Sequence, residues 1–373
     1  MSRKAYEIHL RRLSELRRYQ GNDIGEDSPL RLEPSRETAF LQNPYRWDDD
    51  PIIQAIGFVD GEVAGWDYIF PVAAKLDGKT YKAVSGSSLN VKPFARRSGL
   101  GLALPSAGFD KAAKDGLVIA AAISQMGIPI HEFNDYNFFF MPRYIALWKS
   151  RPIVSAKLKG CFASSISAVL DAGLAFYANA LKFMCSFALK GCDVREVHAD
   201  DEAALEAIAE IVSDDEHRFS ELHDVRWFKW HLVCSFSAES RCRLHVVERE
   251  GRIVAFVMTK TRFYESASHR GFKNVRLGSI NEWGCRAGCE KLMKWAIAKV
   301  ALKLREEGCD ACEFATAEKE MANAVRRIGW LHVGDTNAAI KILPNFPETG
   351  IIQAMSDPAN WRLRPAMGDN GLT

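Results

Sequence analysis

The 373-residue chain is 47% apolar and 26% charged, the fractions of a soluble globular protein, and its formal net charge is only +2. That length exceeds one ordinary core and fits two domains of about 150 to 190 residues. So small a net charge supplies no large basic field and argues against nucleic acid as the main partner.

At the start of the chain, Met1-Ser2-Arg3-Lys4 leads into a charged pattern with Ile8, Leu10, Leu13 and Leu16 at helical spacing, not into an apolar signal core. A cytoplasmic location is expected. Ile52 to Phe58 and Val63 to Phe70 are strand-like runs joined around Asp60-Gly61, a hairpin signal. A second turn at Asp77-Gly78 leads to a strand from Tyr81 to Val91. Trp66, Tyr68 and Phe70 share one face of their strand by period two, either as core or as the lining of an apolar pocket.

Beyond Val91 comes Lys92-Pro93-Phe94-Ala95-Arg96-Arg97-Ser98-Gly99-Leu100-Gly101, a basic, glycine-bearing turn before a helix expected over Leu102 to Lys114. The first N–H groups of a helix lack intrahelical partners and carry the positive end of its dipole, so a pyrophosphate fits there. Gly99 and Gly101 remove the Cβ atoms that would hold a phosphate away, and Arg96 and Arg97 add charge. Pro105 is harmless only in a first helical turn, so the helix is expected to begin late or to kink. A dinucleotide fingerprint would need glycine or alanine where Leu104 stands, and a P-loop ending in Gly78-Lys79-Thr80 would need glycine where Ala73 stands.

Leu117 to Ile123 reads as a short buried strand, and Tyr144 to Trp148 as another after the aromatic stretch Phe133 to Phe140. Gly160 to Leu189 is unusually apolar, but Asp171, Asn179 and Lys182 interrupt it. A packed helix or helix pair joining two domains is expected there, with no membrane span and with peripheral membrane contact left open.

The second half repeats the order. Val194 to Ala199 is a strand, Asp200 or Asp201 caps a helix ending near Val212, and Arg243 to Glu248 pairs with Ile253 to Thr259 around Glu250-Gly251. A strand from Val275 to Trp283, a long helix to Glu307, a strand from Ala311 to Ala315, a helix from Glu318 to Ile328 and a strand near Ala338 to Leu343 follow. Cys285, Cys289, Cys309 and Cys312 superficially resemble two halves of a zinc site. The helix between the pairs holds them about 27 Å apart, so they cannot share an ion, and no metal is expected.

The order Arg-x-x-Gly-x-Gly after a strand ending in Val-x-Pro, at Val91 to Gly101, resembles the acyl-coenzyme A signature of the GNAT acetyltransferases. The strand order of both halves resembles tandem GNAT domains, offset by about 190 residues at Gly61 and Gly251 and near Asn90 and Glu282. The resemblance implies an α/β (α+β) fold of two GNAT-like domains, each a mixed, mostly antiparallel, splayed sheet flanked by helices. The expected division is 1–155 for the acyl-coenzyme A domain, 156–190 for the linker, 191–345 for a second domain whose cofactor motif is degenerate, and 346–373 for a tail.

Acetyl-coenzyme A or another acyl-coenzyme A is then the implied co-substrate, its pantetheine along Leu89, Asn90 and Val91 and its pyrophosphate over Arg96, Arg97, Ser98, Gly99, Leu100 and Gly101. The implied activity is N-acyl transfer to an amine of a small metabolite. A carrier-protein or aminoacyl-tRNA donor and a non-catalytic acyl-coenzyme A-binding module are the alternatives. Amide formation needs a proton acceptor for the attacking amine and a donor or solvent path for the leaving thiolate. Many members of the family keep a carboxylate on the central strand, but Val84 to Val91 has none. Tyr136 is the candidate acid, His131 with Glu132 a candidate base, and Glu282 on the second repeat's equivalent strand a further candidate carboxylate. Trp227 and Trp230 are core or pocket.

Overall fold

The computed structural model describes residues 5–114, 116–124, 127–152, 154, 161–234, 241–265 and 274–367. Two compact units divide the chain: Met1–Phe140, Glu216–Leu222 and Asn337–Thr373 make one, Met141–Asp215 and His223–Thr336 the other.

The first unit is built on β1 (Tyr6–Arg12), β4 (Ile52–Val59), β5 (Glu62–Leu76), β6 (Lys79–Val91) and β7 (Leu117–Ala121), with the short ribbon β2 (Arg18–Tyr19) and β3 (Asn22–Asp23) apart from this sheet. Pairing is antiparallel from β1 through β6, and β6 meets β7 in parallel. Helix α1 (Pro34–Leu41) covers one face, where Phe40 stacks on Phe70 at 4.2 Å. Helix α2 (Leu100–Ala113) covers the other, its Leu100 and Phe109 lying where a side chain on Gly57 or Gly86 would collide with them. Of the stripe of Trp66, Tyr68 and Phe70, the last two are therefore core and Trp66 is half-buried, with the Arg36 guanidinium 4.4 Å above the Tyr68 ring.

In the second unit the sheet runs through β9 (Cys192–Val197), β11 (Arg241–Arg249), β12 (Arg252–Tyr264), β13 (Val275–Cys285) and β14 (Ala311–Ala315). Again only the last pairing, β13 with β14, is parallel. The fold class is the α/β arrangement expected, a mixed and mostly antiparallel sheet flanked by helices. Each unit borrows its last strand from the far half of the sequence. Arg143–Leu147 of β8 (Asn137–Leu147) pairs with β14, and Ala338–Ile342 of β15 (Leu331–Ile342) pairs with β7. The first unit also gains β10 (Phe219–Glu221), which pairs with the end of β5.

Three local expectations are corrected. The N-terminal segment is strand β1, because Ile8 and Leu10 also alternate by period two and pack toward the first core, while Arg11 is fully buried on Gln54 Oε1 and the Leu30 carbonyl. Helix α2 does not begin late: it starts at Leu100 and takes Pro105 into its interior. The strand expected at Tyr144 begins earlier, at Asn137, and includes the aromatic run and Pro142.

The apolar segment is one helix, α4 (Cys161–Ala188), whose stretch Ser164–Ala188 is long and apolar enough to cross a membrane. One face of it, at Ala178, Leu181 and Cys185, is nevertheless buried in the second unit's core with α7 (Glu290–Glu306). Between α4 and α7 in sequence stand α5 (Glu202–Ser213) and α6 (Val225–Val233), after α3 (Ile128–Phe133) of the first unit. Of the 156–190 linker, residues 156–160 lie outside the described residues.

Candidate functional site

The parallel pairing of β6 with β7 covers only Ala83–Ser85 against Leu117–Ile119, while β6 stays paired with β5 as far as Val91. Beyond Ser85, then, β6 runs on without β7, and Gly86 to Val91 border an opening in the sheet. A bulge interrupts β6 within this stretch: Trp66 faces Asn90 but Tyr68 faces Ser87, and Ser88 takes φ +59°. Bulges re-aim backbone groups and favour functional edges. Leu89, Asn90 and Val91 are half-buried, exposed and half-buried in turn, so this rim is accessible.

The chain then turns through a 3-10 segment, Pro93–Ala95, into α2. Arg97 at φ +74° and Gly99 at φ +93° both hold left-handed backbone. Gly99 takes it freely, whereas a side chain pays about 1 kcal/mol or more, the kind of strain that clusters at ligand clamps. Ser98 Oγ accepts from the Leu100 amide at 3.1 Å. The amides of Arg97, Gly99 and Gly101 donate to no acceptor among the described residues. Arg96 and Arg97 are exposed beside them. Free N–H groups at the start of a helix, two guanidinium groups and a backbone shorn of Cβ atoms form an anion cradle. Tyr6 of β1, which carries no local signal of such a role, lies 3.9 Å from where a Gly99 Cβ would stand.

Helix α3 closes the other side. A Cβ on Gly101 would meet Val91 Cγ2 at 3.5 Å and Ile130 Cδ1 at 3.9 Å, so β6, α2 and α3 converge at this glycine. Asn134 fastens α3 to α2 by donating to the Leu102 and Ile130 carbonyls at 3.3 and 2.8 Å. His131 Nδ1 sits 2.9 Å from the Gly127 carbonyl, which fixes the proton on Nδ1 and leaves Nε2 as an acceptor. Burial lowers the His131 pKa and keeps the ring neutral. Its edge meets the Tyr136 ring at 4.8 Å. Glu132, on the same helix, is exposed.

The Tyr136 hydroxyl is buried without a hydrogen-bond partner among the described residues. Burial first, then the nearby charges of Asp67 and Asp110, push its pKa well up, so it stays protonated. Asp67, buried on β5 opposite the β6 bulge, is a carboxylate that sequence reasoning passed over. Only period-two alternation with Gly65 and Ile69, which face α2, could have flagged it.

Glu282 belongs to the second unit. It lies at a bulge of β13 where Met258 faces Glu282 and Thr259 faces Ile280, and it is fully buried. One carboxylate oxygen accepts from the Trp283 amide at 2.9 Å and the other stands 2.7 Å from His223 Nδ1. The His223 ring stacks on Trp227 at 3.8 Å, and Trp227 stacks on His231 at 3.6 Å. Trp227 and Trp230 are therefore core. His131, Tyr136 and the cradle are brought together in one unit, while Glu282 sits among the core groups of the other.

A mixed, mostly antiparallel sheet flanked by helices, in which β6 runs on past its parallel partner β7 into the turn where α2 starts, is a GNAT-like fold. Two structures of Saccharomyces cerevisiae N-myristoyltransferase with bound myristoyl-CoA are similar to this chain over 90% of its length. One has TM-score 0.56, 11% identity and 82% of the enzyme's chain covered. The other has TM-score 0.55, 12% identity and 78% covered. An Enterococcus faecalis V583 protein described as a probable N-acyltransferase is similar over 91% of this chain and 73% of its own, at TM-score 0.51 and 12% identity. No protein-family model matches the chain. No curated protein sequence matches it either.

Proposed function

We propose that the chain is an acyl-coenzyme A-dependent N-acyltransferase that moves an acetyl or longer acyl group to an amine of a small metabolite in the cytoplasm. The observation that carries this reading is the opening beyond Ser85 of β6, which ends in the unpartnered amides of Arg97, Gly99 and Gly101. A pantetheine amide has the hydrogen-bonding groups of a strand, which suits the rim at Leu89, Asn90 and Val91. A pyrophosphate suits the turn from Arg96 to Gly101. The likeness of fold to a myristoyl-CoA-bound enzyme supports the same reading.

In the reaction a neutral amine attacks the thioester carbon, the carbon–sulfur bond breaks, and the amine proton leaves for a base while the thiolate takes one. His131 Nε2 is suited to accept the proton, directly or through water, because its other nitrogen is engaged at Gly127. Tyr136 is suited to give one to the thiolate, since its buried hydroxyl stays protonated. Strand amides near Leu89 to Val91 would polarise the carbonyl. We read 1–155 and 191–345 as two repeats of one ancestral unit, with the anion cradle kept only in the first. Glu282, buried against His223, serves the second repeat as a structural carboxylate in this reading.

Calorimetry with acetyl- and myristoyl-coenzyme A, followed by thiol release with a panel of amines, tests the proposal. Wild-type protein should bind and release thiol, and folded Arg97→Glu and Gly99→Asp variants should bind at least tenfold more weakly and release thiol correspondingly more slowly at limiting coenzyme. Binding without amine-dependent thiol release would leave a binding module only. Absence of binding would remove the free coenzyme reading.

A further inference from the structure

Helix α4 carries a second apolar face besides the buried one. Phe176, Phe183 and Phe187 are 74% to 78% exposed, with Val169 equally open and Ile166, Leu170 and Met184 more than a third exposed. Five of these residues keep a seven-residue repeat. Ile166, Gly173, Ala180 and Phe187 mark one line, and Val169, Phe176 and Phe183 the adjacent line. Lys182, the charge nearest the face, is paired with Glu306. A helix apolar on both faces belongs inside something, and among the described residues of the second unit only one face is covered.

The stripe also reads the same from both ends. An antiparallel two-fold pairing centred between Phe176 and Tyr177 sets Ile166 against Phe187, Val169 against Met184, Leu170 against Phe183, and Gly173 against Ala180. Large residues meet large ones at both ends, and the small pair on either side of the centre lets the backbones approach. Such self-complementarity is what an isologous contact requires. Seven large apolar side chains stand open on this face, a surface of the order of the ~800 Å² that one partner contributes to a standard-size interface. We propose that this face docks a second copy of the chain, forming a homodimer through antiparallel α4 helices.

Sedimentation velocity on the full chain, over a concentration series, tests this. Wild type should approach about 83 kDa, twice the 41.7 kDa of one chain, and the double variant Phe176→Glu, Phe183→Glu should stay at 41.7 kDa with unchanged circular dichroism. Oxidation supplies the geometry: Phe176→Cys, near the two-fold axis, should cross-link within the dimer, and Phe187→Cys, far from it, should not. A wild type that is monomeric at its highest soluble concentration would overturn the proposal. So would a monomer that sediments with phosphatidylcholine vesicles, which would make the stripe a lipid-binding face, or a dimer that both glutamates leave intact.

Discussion

Arg97 and Gly99 both hold left-handed backbone, at φ +74° and +93°, and between them turn the chain from the rim of β6 into the first turn of α2. Only the glycine does so without cost. The strain at Arg97 keeps its amide and its exposed guanidinium on the cradle, which separates two kinds of substitution there.

Arg97→Glu should leave the melting temperature unchanged, because the exposed side chain makes no hydrogen bond or ion pair among the described residues, and should weaken acyl-coenzyme A binding at least tenfold. Loss of one charge-assisted hydrogen bond, about 1.5–3 kcal/mol, sets that scale. Calorimetry and a thermal melt on the same sample read both effects.

Gly99→Ala should act in the opposite order. A methyl group in left-handed backbone costs about 1–2 kcal/mol, so the protein should lose stability by about that amount in urea unfolding. A variant as stable as wild type would mean that the turn adopts a different backbone in solution.

Tyr136→Phe removes a buried hydroxyl that has no partner among the described residues, so stability should hold or rise by about 1 kcal/mol. If Tyr136 donates the proton to the thiolate, turnover should fall by about 10²-fold with little change in acyl-coenzyme A binding. Unchanged turnover would assign the residue to the core alone. His131→Gln should lower turnover similarly and remove the acidic limb of its pH profile.

The second unit should be acid-sensitive. Burial pushes His231 down to about 3 and His245 down to about 4, so both stay neutral in the folded chain at pH values where the unfolded chain protonates them. The unfolded state then binds more protons between about pH 6.5 and pH 3, and stability falls as pH falls through that window. It is fully present above pH 6.5. Urea unfolding at pH 7, 5.5 and 4.5 should show the decline, and His231→Phe should flatten it. Breaking the His223–Glu282 pair by Glu282→Ala should cost about 3–5 kcal/mol.

Local chemistry was readable in the sequence and partnership was not. The turns at Gly61 and Gly251 and the basic turn before α2 announce themselves because glycine and arginine act within a few residues. Ile8 and Leu10 fit both a helical and an alternating period, and only pairing with β4 decides for the strand. Strand character at Ala338 to Leu343 was visible, but period two says nothing about its partner, β7. Asp67 beside Tyr136, and His223 against Glu282, depend on tertiary approach between elements that share no local signal.

Hydrogen–deuterium exchange with and without acetyl-coenzyme A tests the central claim most directly. The account predicts slowed exchange confined to peptides covering Gly86 to Ala103, where the β6 rim and the unpartnered amides lie. Slowing centred on Cys285 to Glu290 of the second unit, or none in either segment at saturating ligand, would contradict it.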